Sequence, residues 1–319
     1  MSKHLHSHLP KVAVIGTGFV GSTFAYTLMM HGLVSEILLI DIDKKRAEGE
    51  AMDLNHGLSF VRPVKIWAGD YSDCEDADII MISAGAAQRP DEKRLELVHR
   101  NFKVFKDIVP QVSRYNKNGI FLIATNPVDI MTYATIKLSG YPPQRVIGSG
   151  TILDTSRFRY ILGEHLSIDP RNVHAYIIGE HGDSEVPVWS LTNIAGIPLQ
   201  HFCLEREPKC DAPFLNSLFE KVKNAAYEII ERKGRTYYAI GLGLARVVEA
   251  ILRDENAILT VSSLLRDYYG VSDICLSVPS IVNRNGVTST LKFPLSQNEI
   301  ESFQESASTL KQIAKSLEI

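Results

Sequence analysis

The chain has 319 residues, of which 45% are hydrophobic and 22% charged, enough apolar material for the cores of about two domains. Its formal net charge of −3 gives no electrostatic reason to expect binding to nucleic acid or to an anionic membrane. No apolar segment approaches the length that spans a bilayer, and the polar start MSKHLHSHLP lacks the apolar core of a signal peptide.

Cysteine usage favours a reducing compartment, so we expect a cytoplasmic protein. A chain of this length has no need of disulfide bonds to supplement its core, and none of its cysteines forms a C-x-x-C pair. We therefore predict neither a disulfide framework nor a metal site. The cysteines are Cys74, Cys203, Cys210 and Cys275.

The first half of the chain alternates short apolar segments with amphipathic ones. Strands that are apolar throughout are typical of a sheet buried on both faces, and strands that alternate with helices form a parallel sheet. Residues 1–150 are therefore predicted to form one doubly wound α/β domain, with helices over 19–30 and through 51–54. The predicted strands are VAVIG (12–16), ILLID (37–41), VKIWAG (64–69), DIIMISAG (78–85), GIFLIATNP (119–127) and RVIGSG (145–150).

The pattern changes after about Gly150, and residues 151–319 are predicted to form a mixed α+β domain packed directly on the first. Helices are predicted over 151–165, over 216–253 with a break near Gly234, and over 299–317. The predicted strands are NVHAYIIG (172–179), ILTVSSLL (258–265) and CLSVPSIVN (275–283).

The segment from Gly16 to Gly21 reads G-x-G-x-x-G, after a predicted strand and at the start of a predicted helix. That context is required of a dinucleotide-binding loop. Gly16 permits a tight turn, Gly18 lets the backbone approach a pyrophosphate, and Gly21 lets helix and strand pack closely. The N–H groups at the helix start attract phosphates. The first domain is therefore predicted to be of Rossmann type.

Asp41 ends the second predicted strand, at about the spacing expected of the acid that binds the adenosine ribose. Its carboxylate accepts hydrogen bonds from both ribose hydroxyls in such sites and repels the 2′-phosphate of NADP. NAD is therefore the predicted cofactor. The alternative is that Asp41 only caps the following helix.

Two segments carry groups that hydride transfer to a carbonyl requires. His181 lies in GEHGD (179–183), and histidine both donates and accepts protons near neutral pH. Asp154 and Arg157 share a face of a predicted helix. An anionic Asp154 would stabilise protonated His181, and Arg157 would bind a substrate carboxylate through two parallel hydrogen bonds. The alternatives are a structural histidine and a surface ion pair.

The loop GAAQRPDEKR (85–94) joins a predicted strand to a helix, with the Gly, Pro and charged residues of a mobile lid. Arg94 is predicted to move over the substrate and polarise its carbonyl, while the closing lid expels water. Taken alone, this segment is better explained as a solvated loop with basic residues.

Together these segments resemble the L-lactate/L-malate dehydrogenase family, in the right order and over nearly the whole chain. The resemblance implies an NAD-dependent dehydrogenase in which a dinucleotide-binding domain precedes a substrate domain. The matching segments are GTGFVG, LLIDID, AGAAQRPDEKR, ATNPVDI, GSGTILDTSRFR, IIGEHGD and ERKGRTYY.

The resemblance also implies roles for single residues. His181 is the acid–base residue, Asp154 its partner, Arg157 the carboxylate anchor, Arg94 the lid arginine, and Asn126 a contact of both nicotinamide and substrate. Further cofactor contacts are implied for Val20, Arg46, Tyr71, Gly85, Ala86 and Ser149.

The lid sequence favours pyruvate and L-lactate over oxaloacetate and malate. Counting back from Arg94, the position that faces the substrate is Gln88, which leaves the second carboxylate of oxaloacetate buried without a partner. Thr236 matches the residue beside the methyl group in lactate enzymes. A shift of one residue would put Arg89 in the pocket and favour malate, although Pro90 fixes the register. A further alternative is a non-catalytic protein on the same scaffold, against which the joint presence of all the reactive residues argues.

A regulatory site is implied as well. Arg159 points roughly 200° away from Arg157 on the same helix, at about 100° per residue. Bacterial lactate dehydrogenases that fructose 1,6-bisphosphate activates carry Arg and His at the positions of Arg159 and His174, between subunits of a homotetramer. We expect this ligand to relieve the repulsion between the cations and to favour the active assembly. A surface arginine and a partly buried histidine are the alternative.

Overall fold

The computed structural model describes residues 10–86, 94–204 and 210–319, apart from the side chain of Arg94. A parallel sheet runs through the first half, as the apolar segments predict. Its strands are β1 (Lys11–Ile15), β2 (Glu36–Ile40), β3 (Lys65–Ala68), β4 (Ile79–Ile82), β5 (Ile120–Ile123) and β6 (Val146–Gly148). They pair in the order β3-β2-β1-β4-β5-β6.

Both faces of this sheet are buried. Alternate residues of β1 belong to two different cores, Ala13 and Ile15 to one and Val12 and Val14 to the other. Side chains alternate between the faces of a strand, so helices on both sides explain why the strands are apolar throughout. The helices that follow the strands are α1 (Phe19–His31), α2 (Lys44–His56), α3 (Arg94–Tyr115) and α4 (Val128–Ser139).

The second half is mixed α+β, as predicted, and the main sheet continues into it. The chain ends the long predicted helix at Gly234, whose φ of 81° is left-handed, and starts another after it. The helices are α5 (Ile152–Leu166), α6 (Leu199–Leu204), α7 (Ala212–Lys233), α8 (Tyr238–Leu252) and α9 (Gln297–Ser316). The strands are β7 (Val173–His174), β8 (Ile177–Gly179), β9 (Glu185–Pro187), β10 (Asn193–Ile194), β11 (Ile197–Pro198), β12 (Ala257–Leu264), β13 (Cys275–Asn283) and β14 (Gly286–Thr290).

The junction between the halves is made inside the sheet. β12 pairs antiparallel with β6 at Ser262 and Gly148, and β13 pairs with β8 at Ser277 and Gly179. The main sheet therefore runs on as β6-β12-β13-β8-β9, with β14 beside β13. This arrangement brings the end of β8 close to the start of α5.

The prediction of one strand over 172–179 is wrong. β7 pairs with β10 in a small separate sheet, whereas β8 pairs with β13 and β9 in the main sheet. The chain leaves one sheet for the other at Ala175 and Tyr176, and an apolar pattern does not reveal such a change of partner. The strands β9, β10 and β11 span only two or three residues, too few to show an apolar pattern, and they were not predicted. β14 was not predicted either.

The prediction that the cysteines form no disulfide bonds is also wrong. Cys203 in α6 and Cys210 before α7 are joined by a disulfide bond, while Cys74 and Cys275 are buried free thiols. Cysteine counting fails here because the bond joins two cysteines only seven residues apart and does not replace a missing core. In the parts of the chain that the structure describes, no helix combines the length and apolarity that crossing a membrane requires.

Candidate active site

The residues predicted to bind a cofactor follow the carboxyl ends of parallel strands, which meet at one edge of the sheet. Gly16 follows β1, Asp41 follows β2, Gly85 lies shortly after β4, Asn126 after β5 and Ser149 directly after β6. Ligands of doubly wound sheets bind at this edge. The fold therefore places these five positions along one side of the molecule.

The glycine loop has the geometry that its spacing predicts. Gly16 has a φ of 95°, and a Cβ there would lie 2.4 Å from the backbone nitrogen of Ala84. A Cβ on Gly21 would lie 1.9 Å from the carbonyl oxygen of Gly16, so helix α1 approaches β1 closely. A Cβ on Gly18 would meet nothing within 4 Å. The space beside Gly18, at the start of α1, fits the pyrophosphate of a dinucleotide.

Asp41 is held beside the glycine loop. Its Oδ2 accepts hydrogen bonds from the backbone nitrogen of Thr17 at 2.7 Å and from its hydroxyl at 3.0 Å. The helix-cap alternative is wrong, because Asp43 is the N-cap of α2 and accepts a bond from the backbone nitrogen of Arg46. Arg46 in turn donates from Nε to the carbonyl oxygen of Thr17 at 3.0 Å. Asp41 also lines a cavity of about 130 Å³.

The other predicted cofactor contacts lie at the same edge. The backbone nitrogen of Ala86 donates to Oδ1 of Asn101 at 2.8 Å, and Nδ2 of Asn101 donates to the carbonyl oxygen of Asn126 at 2.7 Å. Asn101 thus joins the segments after β4 and β5, a link that sequence reasoning missed. Val20 and Tyr71 are half-buried and Ser149 is buried.

The reactive groups of the second half meet around one carboxylate. Nδ1 of His181 lies 2.5 Å from Oδ2 of Asp154, and Nη1 of Arg157 donates to Oδ1 of the same residue at 2.7 Å. Only 4% of the Asp154 side chain is exposed, against 24% for His181 and 14% for Arg157. An ionised carboxylate only accepts hydrogen bonds, so Nδ1 carries a proton and Nε2 is the nitrogen left for exchange with a ligand.

The environment of His181 favours its charged form. Burial alone would lower its pKa, but the charge of Asp154 and the hydrogen bond to it raise the pKa to about 9. Burial raises the pKa of Asp154, yet His181 and Arg157 together hold it below its ordinary value. A protonated histidine of this kind can donate a proton to a carbonyl oxygen and recover it in the reverse direction.

A second buried carboxylate fixes the backbone of the histidine loop. Oδ2 of Asp129 accepts a hydrogen bond from the backbone nitrogen of His181 at 2.8 Å, and Oδ1 accepts one from the hydroxyl of Ser262 at 2.6 Å. Sequence reasoning missed Asp129. The signal was an acid in the first turn of α4, within the ATNPVDI segment that it did single out.

His181, Asp154, Arg157 and Asn126 line a cavity of about 290 Å³. Thr236, in the connection between α7 and α8, is half-buried and is not part of its described lining. Gln88, the neighbouring lid positions and the side chain of Arg94 lie outside the described residues. The lining residues that were not predicted are Leu97, Pro127, Gly182, Asp183, Glu185, Lys223, Ala226 and Tyr227.

The two residues of the predicted regulatory site lie on neighbouring elements, α5 and β7. Arg159 on α5 donates from Nε to the carbonyl oxygen of Ala175 at 3.0 Å, one residue beyond His174. His174 is exposed, and the guanidinium of Arg159 lies 5.2 Å from the ring centre of Tyr176. Burial lowers the pKa of Arg159.

Among the described residues, no group of three His, Cys, Asp or Glu side chains is arranged to hold a metal ion.

Comparisons with known proteins agree with the geometry. A family model of the lactate/malate dehydrogenase NAD binding domain matches residues 10–148, and one of the α/β C-terminal domain of the same family matches residues 151–318. An L-lactate dehydrogenase of Acetivibrio thermocellus is 58% identical, with 98% of each chain covered. L-lactate dehydrogenase 1 of Clostridium acetobutylicum is 56% identical, with 96% of this chain and 98% of the relative covered.

A solved structure is similar as well. The crystal structure of the minor L-lactate dehydrogenase from Enterococcus mundtii, in a ligand-bound form, superimposes with a TM-score of 0.93. It is 45% identical in sequence, and the match covers 97% of this chain and 98% of the other.

Alanine substitutions at Gly21 and Gly18 should affect different properties, the first the stability of the fold and the second the affinity for the cofactor. Gly21→Ala forces a Cβ into the carbonyl oxygen of Gly16, so we expect the free energy of unfolding to fall by about 2 kcal/mol or more. Gly18→Ala meets no protein atom and should leave that free energy within about 0.5 kcal/mol of wild type. Its methyl group occupies the phosphate space instead, so NADH affinity should fall about tenfold or more.

Denaturant unfolding and NADH titration by fluorescence measure the two effects. Wild-type NADH affinity in Gly18→Ala would contradict the assignment of the space beside this glycine.

Proposed function

Because the chain belongs to the lactate/malate dehydrogenase family, we propose that it interconverts pyruvate and L-lactate as an NAD-dependent L-lactate dehydrogenase. The observation that carries the proposal is the cluster of His181, Asp154 and Arg157 in one cavity at the edge of the sheet where the glycine loop lies. Bound NADH supplies the hydride. The rest of the chemistry falls to side chains of this chain.

Arg157 is the proposed anchor of the substrate carboxylate. One of its N–H groups is already engaged by Asp154, which holds the guanidinium at the cavity. An arginine has five N–H donors, so enough remain for a bidentate contact with a carboxylate. This contact supports the selection of small 2-oxo and 2-hydroxy acids.

His181 is the proposed proton donor in pyruvate reduction and the acceptor in lactate oxidation. Asp154 holds Nδ1, and Nε2 is the ring nitrogen left to exchange a proton with the substrate oxygen. The raised pKa keeps the ring protonated at neutral pH, the state that carbonyl reduction requires. Asn126, which lines the cavity, is suited to contact both substrate and nicotinamide. Arg94 is the proposed lid arginine.

The choice of lactate over malate is supported by the names of the relatives and by Gln88. An uncharged residue at that lid position provides no partner for a second carboxylate. Thr236 is proposed to lie beside the substrate methyl group.

Substrate preference tests this choice. Wild type should oxidise NADH with pyruvate far faster than with oxaloacetate, at matched substrate concentrations and followed by absorbance. Gln88→Arg should move the ratio of kcat/KM toward oxaloacetate by about tenfold or more, because it supplies the missing charge partner. Arg89→Gln is the control and should leave the ratio unchanged. A wild type that prefers oxaloacetate, with the preference lost in Arg89→Gln, would show that the register is wrong.

We also propose that fructose 1,6-bisphosphate activates the enzyme through Arg159 and His174 in a homotetramer. The hydrogen bond of Arg159 to the carbonyl oxygen of Ala175 holds this arginine against the residue that follows His174, which supports a phosphate contact shared by the two basic residues. An interface between subunits is supported by large apolar side chains that α1 and α8 leave exposed. They are Phe19, Tyr26, Met30, Tyr238 and Leu242.

Kinetics at low pyruvate test the regulatory proposal. We expect fructose 1,6-bisphosphate to lower the pyruvate KM of wild type and to have little effect on Arg159→Gln, which lacks the phosphate partner. Arg253→Gln removes an exposed arginine at the C-cap of α8, where it is paired with Glu249, and should keep the activation. No detectable binding of the bisphosphate to wild type by calorimetry would end this part of the proposal without touching the catalytic part.

A further inference from the structure

Glu185 is a buried acid of the cavity that the proposed reaction leaves unused. It is the first residue of β9, pairs across the hairpin with Gly179, and is 8% exposed. Its side chain lines the same cavity as His181 and Arg157. Oε1 is buried and has no hydrogen-bond partner within the described structure. A buried carboxyl oxygen without a partner is costly, and more so when the group is ionised.

The charged groups around Glu185 come from several elements. α5 contributes Asp154 and Arg157, the loop after β8 contributes His181, and α7 contributes Lys223. Asp183 lies on the same cavity lining, and Asp129 of α4 acts on the same histidine.

Burial and the surrounding charges together favour the neutral form of Glu185. Burial and, after it, the negative charge of Asp154 raise the pKa of Glu185 to about 8, against the opposing charges of His181, Arg157 and Lys223. Glu185 is therefore neutral below this range and becomes a second cavity anion above it.

We propose that Glu185 sets the pH dependence of substrate affinity, because its uncharged form admits the substrate carboxylate at Arg157 and its ionised form opposes it. The inference rests on the proposed function, since it concerns the carboxylate of L-lactate or pyruvate. A substrate anion at Arg157 and an ionised, buried Glu185 would lie in the same cavity, so each disfavours the other. By linkage, binding of the substrate raises the affinity of Glu185 for its proton by the same factor.

Lactate oxidation is the direction in which this effect is easiest to isolate. An ionised Glu185 repels the lactate carboxylate and also stabilises protonated His181, which is unable to accept the lactate proton. Both effects raise the KM for L-lactate at high pH. In pyruvate reduction the same two effects oppose each other.

The experiment compares the KM for L-lactate, at saturating NAD⁺, between about pH 6.5 and about pH 9.5. We expect the ratio of wild type to Glu185→Gln to be near one at the lower pH and to rise to about fivefold at the higher pH. His181 titrates in both proteins, and its titration differs between them only through the charge of Glu185, so a pH-dependent ratio reports that charge. Glu185→Asp keeps a titratable carboxyl and should follow wild type. Glu185→Ala removes the same charge and takes the place of the Gln variant if that variant does not fold.

Glu180→Gln is the matched control. Glu180 is also buried on the same hairpin, where it accepts a hydrogen bond from Ser184, and it is not part of the described cavity lining. The ratio of the wild-type KM for L-lactate to that of Glu180→Gln should not change with pH.

A ratio for Glu185→Gln that stays constant over the whole range would overturn the inference and leave Glu185 a structural residue. The same rise in Glu180→Gln would also overturn it. A wild type that turns over no L-lactate would instead contradict the proposed function, so the two failures are distinguishable.

Discussion

A single buried carboxylate, Asp154, organises the reactive part of this molecule. Removing a charge from water costs several kcal/mol unless partners replace the water, so a carboxylate that is 4% exposed must be paired. Its two oxygens are taken by His181 and Arg157. The same requirement therefore fixes the proton-exchanging group and the carboxylate anchor in one geometry, and both face one cavity.

The scaffold around this carboxylate is fixed by hydroxyl groups. The hydroxyl of Thr151 donates to the carbonyl oxygen of Ile177 at 2.6 Å, and the backbone nitrogen of Ile177 donates to the hydroxyl of Thr155 at 3.0 Å. The backbone nitrogen of Thr151 donates to Ser277 at 3.1 Å. These bonds tie the start of α5 to β8 and β13, so the elements that carry Asp154 and His181 are held together by buried contacts. Rigid support of this kind keeps a reactive group in position.

Much of the fold and of the site was predictable from the sequence because it depends on local pattern. Apolar segments gave the parallel strands, the glycine spacing gave the loop before α1, and helical periodicity put Asp154 and Arg157 on one face. Asp129, Asn101 and Glu185 were not predicted, since each acts on residues far away in the chain. The division of 172–179 between two sheets and the bond between Cys203 and Cys210 also depend on tertiary partners. No local pattern encodes such partners.

The pKa of His181 is the quantity on which the account of the site most directly depends. Proton NMR of the histidine rings against pH, with His181→Asn to identify the signal, measures it in wild type and in Asp154→Asn. We expect a wild-type pKa well above the ordinary value of 6.5, near 9, because the charge of Asp154 outweighs burial. In Asp154→Asn the effect of burial on the pKa is no longer opposed by the largest favourable charge, so the pKa of His181 should fall by about two units or more. An equal pKa in both proteins would contradict the claim that Asp154 keeps His181 charged.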